Sequence, residues 1–189
     1  GGDTETLRAI ELADLSRHQK LKIADLRCGT GASTLTLAKE LDAVITAIDL
    51  FPEFLNVLEN TARSRNLLSQ ITVKALSMEA LLFSPEELDV IWSEGAIYHM
   101  GFQRGVSDWR KYLRKGGVLA VSEITWLTQT RPHKLESYWN EAYPEIATAS
   151  EKIKILEKAD YRLLGYFVLP VTSWEENYYQ PMEDRFEDF

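Results

Sequence analysis

Apolar positions along the chain follow two spacings. Short runs rich in Val, Ile and Leu alternate with longer segments in which apolar residues recur every three or four positions. The first rhythm marks strands and the second amphipathic helices. Leu7, Ile10 and Leu15 predict an opening helix that ends near His18. Residues 21–26 (LKIADL) predict a short buried strand that runs into a glycine-rich turn, and Thr34 to Leu41 a helix. Ala43 to Ile48 is rich in Val, Ile and Thr and predicts a second strand. Pro52 to Arg65 predicts a helix with Phe54, Leu58 and Ala62 on one face, Pro52 standing in the first turn, where its missing N–H is not needed. Ile71 to Leu76 and Leu88 to Ser93 predict strands three and four. Gln103 to Leu113 predicts a helix with Val106, Trp109 and Leu113 at contact spacing. Gly116-Gly117 predicts a turn into a fifth strand, Val118 to Glu123. Arg131 to Tyr143 and Ser150 to Ala159 predict two more helices, and Tyr161 to Leu169 a sixth strand.

Apolar strands alternating with helices define an α/β domain with a mainly parallel sheet and helices on both faces. A ligand of such a sheet lies at the carboxyl ends of the strands. The residues just after each strand are therefore the candidates for chemistry.

The chain has 189 residues, the size of one domain with a substantial core. Its formal net charge of -8 argues against a protein that holds nucleic acid through phosphate contacts. Small-molecule chemistry is the expectation. The sequence holds no apolar run long enough to span a bilayer. Cys28 is the single cysteine, which excludes an internal disulfide and fits a reducing cytoplasm. His18, His99 and His133 are too scattered, without a second cysteine, to predict a metal site. The first residue is Gly1 rather than Met, which suggests a trimmed or partial chain.

The turn after the first strand reads Asp25-Leu26-Arg27-Cys28-Gly29-Thr30-Gly31. Glycines there let the backbone turn sharply and approach a ligand, and the next helix offers free N–H groups at its start. No Gly-Lys-Ser/Thr follows, so it is not a phosphate-cradling P-loop, and the G-x-G-x-x-G dinucleotide spacing is absent. Asp49, 18 residues past Gly31, ends the second strand, where a carboxylate accepts both hydroxyls of a ribose.

The pattern Asp-x-x-Cys-Gly-Thr-Gly, then Ile48-Asp49, then Tyr112-Leu113-Arg114-Lys115-Gly116-Gly117-Val118, resembles class I S-adenosylmethionine-dependent methyltransferases. Residues 88–124, LDVIWSEGAIYHMGFQRGVSDWRKYLRKGGVLAVSEI, are similar to a bacterial small-molecule subgroup related to the ubiquinone/menaquinone-biosynthesis type. The resemblance covers nearly the whole chain. It implies a Rossmann-like fold with sheet order 3-2-1-4-5-7-6 and an antiparallel seventh strand, for which residues 172–189 offer no candidate. It implies a single domain over 1–189 that lacks the extra N-terminal helices and the C-terminal strand of relatives. It implies S-adenosylmethionine as cofactor and a small-molecule acceptor, and leaves the oligomeric state open.

The same resemblance assigns roles, each beside a plainer alternative. Asp25 holds the methionine ammonium, or stabilises its own loop. Gly29 and Gly31 line the cofactor. Asp49 binds the ribose hydroxyls, or caps its strand, and Leu50 packs on the adenine, or belongs to the core. Ser77 and Met78 meet the adenine edge, or form a solvent turn. Glu94 stands by the methyl group or the methionine end, or pairs with a basic neighbour. His99 is the candidate base and Tyr98 a candidate acceptor residue, or both are turn residues. Glu123 and Trp126 line the acceptor site, or pack. The aromatics after residue 125 (Tyr138, Trp139, Tyr143, Trp174, Tyr178, Tyr179) form an acceptor pocket or lid, or a helical layer over the sheet.

Arg27 departs from the family's pattern, which has glycine there. At a positive φ an arginine costs about 1 kcal/mol or more. Its cation either turns to solvent, pairs with Asp49 or Glu94, or stands near the cofactor's sulfonium. Relief of strain predicts tighter cofactor binding by Arg27→Gly. Three functions follow in order: an active methyltransferase, a cofactor-binding module without activity, and a nicotinamide-dependent oxidoreductase on a related fold.

Overall fold

A computed structural model describes residues 2–15, 20–184 and 186. Helix α1 (Asp3–Leu12) precedes strand β1 (Leu21–Leu26), helix α2 (Ala32–Glu40), strand β2 (Ala43–Asp49), helix α3 (Pro52–Ser64) and strand β3 (Ile71–Ala75). Strand β4 (Leu88–Ser93), helix α4 (Phe102–Arg110), strand β5 (Leu113–Val121), β6 (Thr125–Trp126), helix α5 (His133–Ala142), β7 (Ala147–Thr148) and helix α6 (Ala149–Lys158) follow. The predicted continuation of the first helix toward His18 falls partly outside the described residues.

The main sheet has the order β3-β2-β1-β4-β5, and every pairing in it is parallel. The crossover from β3 past β2 and β1 to β4 reverses the winding beside β1, the place where such sheets open a crevice. Alternate residues of the central strands feed two cores. Ile23, Ile45, Val90 and Trp92 pack with Ile10, Leu37 and Leu58 on one face. Ala24, Leu26, Ile48 and Ile91 pack with Phe102, Val106 and Trp109 on the other. Burial on both faces is why β1, β2 and β4 carry apolar residues at successive positions rather than only at every second one.

Two expectations are corrected. The fifth strand begins at Leu113, not at Val118. Leu88 pairs with Leu113 and Val90 with Val118, so extra residues bulge out of β5 and the expected turn lies inside the strand. Gly116 absorbs the bulge at φ +77, and the Arg114 guanidinium pairs with the Asp89 carboxylate across it. The sixth strand is absent: residues 161–170 join no ladder. Side chains hold that segment elsewhere. The Tyr161 hydroxyl donates to the Val106 carbonyl at 3.2 Å, and Phe167 lies under the Arg8 guanidinium at 4.3 Å. The seventh strand of the implied order is also absent from the described residues, which are helical over Thr172–Trp174, Glu175–Tyr179 and Gln180–Glu183. A short parallel pair, β6 with β7, was not anticipated.

Candidate functional site

The turn after β1 is pinned to β2. The Cys28 N–H donates to the Ile48 carbonyl at 3.0 Å, and the Gly29 N–H donates to Asp49 Oδ2 at 2.9 Å. Asp49 Oδ1 accepts the Phe51 N–H at 3.0 Å, which starts α3. Asp49, 3% exposed, therefore links the glycine turn to the next crossover. The capping alternative is realised, and second lone pairs remain on both oxygens.

Gly29 and Gly31 have different tasks. Both hold positive φ, +58 and +87. A Cβ on Gly31 would sit 2.2 Å from Leu58 Cδ1, so that glycine lets α3 pack against the turn. A Cβ on Gly29 would meet nothing within 4 Å; its missing side chain faces open space.

Asp25 lies behind the turn and is 1% exposed. Its Oδ2 accepts hydroxyl protons from Ser33 (2.8 Å) and Thr34 (2.6 Å) in α2, which holds the helix start to β1. Its Oδ1 is buried with no hydrogen-bond partner among the described residues. Burial above all pushes this carboxyl up to about 7. A buried acid with one empty oxygen is unusual and is suited to a cationic or donor partner.

A cleft of about 180 Å³ opens at the carboxyl ends of the strands. It is lined by Arg27 after β1, Asp49 and Leu50 after β2, Leu76, Ser77, Met78 and Glu79 after β3, and His99 after β4. Six of the sequence candidates meet there. Leu76 and Glu79 were not anticipated; their only signal is adjacency to Ser77-Met78 at a strand end. Ser77 Oγ accepts the Glu79 N–H at 3.2 Å, which leaves its hydroxyl proton free to donate. Leu50 is 52% exposed and presents apolar surface rather than core.

His99 sits in a single turn, Ile97–His99, that follows the Glu94-Gly95 bend. The Tyr98 ring stacks on the imidazole at 4.1 Å between centroids. Burial, then the nearby Arg27 cation, lower the His99 pKa. The imidazole is thus neutral near pH 7 and able to accept a proton.

Glu94 is engaged by two neutral donors rather than by a basic residue. Its Oε1 accepts Trp92 Nε1–H and the Thr6 hydroxyl, both at 2.8 Å, which ties α1 over the end of β4. Glu123 and Trp126 do not line the cleft. Trp126 packs under the Arg131 guanidinium at 4.3 Å. Glu123 Oε1 accepts from Lys152 Nζ at 2.7 Å and from the Tyr143 hydroxyl at 2.5 Å. Lys152 and Glu123 have side chains only 4% and 7% exposed, and burial raises the pKa of Glu123. Tyr143 meets Tyr98 edge-on at 6.0 Å, so this buried cluster backs the His99 turn.

A parallel switch-point crevice, a glycine turn open on one side and an acidic residue after the second strand define a nucleotide-type binding site on a doubly wound sheet. The family profile described as "Methyltransferase domain" matches residues 23–117. The chain belongs to that methyltransferase family. It is 35% identical over 134 residues to the rice (Oryza sativa subsp. japonica) chloroplastic 2-methyl-6-phytyl-1,4-hydroquinone methyltransferase 2, covering 67% of this chain and 37% of that protein. It is 32% identical over 120 residues to a malonyl-[acyl-carrier protein] O-methyltransferase of Herminiimonas arsenicoxydans, covering 63% of this chain and 42% of that one. The chain thus spans about four tenths of the length of these curated relatives. A putative sarcosine dimethylglycine methyltransferase from Galdieria sulphuraria shares the fold, with TM-score 0.78 and 16% identity over 99% of this chain and 72% of that one. The [4+2]-cyclase SpnF shares it with TM-score 0.70 and 22% identity over 83% of this chain and 56% of that one.

Proposed function

We propose that the chain is an S-adenosylmethionine-dependent methyltransferase domain acting on a small-molecule acceptor. The carrying observation is the cleft that crosses the ends of β3, β2, β1 and β4, with the Gly29 turn open beside it. The names of the relatives point to methyl transfer, onto a hydroquinone in one and onto a malonyl group on acyl-carrier protein in the other.

The residues present fit the cofactor. The empty, buried Asp25 Oδ1 suits the ammonium of its amino-acid tail. Asp49's remaining lone pairs suit the ribose hydroxyls, and Leu50, Ser77 and Met78 suit the adenine. Bound S-adenosylmethionine would supply an already activated methyl group for in-line displacement. The chain's task is then to align donor and acceptor and to keep water out. His99, neutral at working pH, would take a proton from an acceptor hydroxyl, amine or acidic carbon. Glu94 and Tyr98 shape the acceptor side, and Glu123 acts from behind it by supporting Tyr143 and through it Tyr98; Trp126, packed on Arg131, takes no part. Among the described residues no helix is long and apolar enough to cross a membrane. The single cysteine supports a cytoplasmic setting.

Calorimetry with S-adenosylmethionine, S-adenosylhomocysteine and NADH tests the site, and methyl transfer from labelled cofactor into a metabolite pool tests the reaction. Binding of the two adenosyl ligands but not NADH, with label transferred, is the expected result. Binding without transfer by the full-length protein would leave a cofactor-binding module, and NADH binding an oxidoreductase.

A further inference from the structure

Arg27 is the cleft residue to which the proposed reaction gives no task. It holds φ +57 in the turn after β1, and its side chain lines the cleft. Among the described residues it forms no ion pair. Neither acid to which it was expected to pair forms an ion pair with it: Asp49 accepts two backbone N–H groups, and Glu94 accepts Thr6 and Trp92. His99 shares the cleft wall and, being neutral or cationic, offers the guanidinium no counter-charge.

The sheet order gives the cleft two ends. Leu76 to Glu79 follow β3, and Asp49 and Leu50 follow β2; Arg27 and His99 follow β1 and β4. On the reading above, the nucleoside occupies the β3/β2 end and the amino-acid tail the β1/β4 end. That tail bears a carboxylate, and an acceptor beside it would meet the same cation. We propose that Arg27 is the receptor for a ligand carboxylate at the β1/β4 end of the cleft. This assignment rests on the S-adenosylmethionine reading.

Strain and recognition separate cleanly here. The left-handed backbone of Arg27 costs the same with or without ligand, so relieving it changes stability and not affinity. The guanidinium acts only when an anion is present, as a fork of donors matched to a carboxylate. The expectation that relief of strain tightens binding is therefore corrected: for Arg27→Gly strain predicts unchanged affinity, and recognition predicts a loss.

The test is calorimetry of the full chain with S-adenosylhomocysteine and with 5′-methylthioadenosine, which has the same nucleoside and thioether but no amino-acid tail. Arg27→Gly should weaken S-adenosylhomocysteine about tenfold, the scale of a charge-assisted hydrogen bond. It should leave 5′-methylthioadenosine within about twofold, a difference below the ~1.4 kcal/mol that a tenfold change represents. Arg27→Lys, which keeps the charge, should recover part of the loss. Where the two nucleosides lose nothing, malonate is titrated into protein saturated with S-adenosylhomocysteine. A thermal shift seen in wild type and lost in Arg27→Gly assigns the carboxylate to the acceptor. Equal losses for both nucleosides, or no dependence on Arg27 in either arm, overturn the carboxylate assignment alone. A wild-type protein that binds neither nucleoside overturns the cofactor reading and this assignment with it.

Discussion

Asp25 makes the sharpest test of the site, because its burial has a consequence for stability that is independent of catalysis. The unfolded carboxyl titrates near 3.8, the folded one at about 7, chiefly through desolvation. Between those values the unfolded chain is ionised there and the folded chain is not. Native Asp25 thus holds the extra proton, and its contribution, complete below pH 3.8, is lost as pH rises to 7 and is constant above. The slope is about 1.4 kcal/mol per pH unit and the whole effect about 4 kcal/mol. Asp25→Asn mimics the protonated acid: its amide oxygen still accepts Ser33 and Thr34, and its NH₂ takes the place of the empty Oδ1. Urea unfolding of both proteins from pH 5 to 8 removes the titrations they share. The stability of the variant relative to wild type should rise by about 2 kcal/mol between pH 5 and 7, then level off above pH 7. Parallel curves would show that Asp25 titrates normally and that its burial has been misread. A ligand ammonium at Oδ1 should draw the pKa back down. Binding of S-adenosylhomocysteine at pH 6 should then release a proton in wild type but not in the variant, measured by calorimetry in two buffers.

The two glycines of the turn should separate packing from binding. Gly31→Ala meets Leu58 at 2.2 Å and keeps a strained φ, so it should cost about 2–4 kcal/mol in urea unfolding; a loss under ~1 kcal/mol would refute the clash. Gly29→Ala has space and should cost only about 1 kcal/mol of stability, but should weaken S-adenosylhomocysteine binding; unchanged affinity would mean that the ligand stays away from that surface. Lys152→Met strands the buried Glu123 carboxylate and should cost about 3–5 kcal/mol near pH 7. That loss should shrink as the pH falls and Glu123 takes a proton, and adding Glu123→Gln should recover part of it; a loss independent of pH would rule out the ion-pair account. His99→Gln should lower kcat by about 10²–10⁴ if the acceptor must lose a proton, with cofactor affinity little changed; an unchanged kcat removes His99 from proton transfer.

The centre of the fold was legible because its strands are buried on both faces. β1, β2 and β4 place apolar residues at successive positions (Ile23-Ala24, Ala47-Ile48, Val90-Ile91-Trp92), and a helix at 3.6-residue spacing separates β1 from β2. The edges were not legible. Tyr161 to Leu169 has strand-like composition, yet whether such a segment pairs depends on a neighbouring edge, which composition does not encode. The β5 bulge shows the converse. Two glycines signal a break in the backbone, but a bulge within a strand and a turn before one draw on the same conformations.

The site divides along a similar line. Arg27, Asp49, Leu50, Ser77, Met78 and His99 converge because parallel topology delivers every post-strand turn to one rim, so position in the chain sufficed. Glu123 was read as a wall of the acceptor space, but its partners, Lys152 and Tyr143, lie far along the chain and no short motif joins them. A signal did exist. Lys152 stands three, four and seven residues before Ile155, Leu156 and Ala159, which pack on the core, so it occupies the apolar stripe of α6. A lysine there must find an anion or disrupt the packing, and acids near the strand ends were the available anions. A cofactor of fixed structure imposes the same local turns on many chains. An acceptor is met by surfaces assembled from distant segments, and in this chain their trace is one charged residue out of step with its helix.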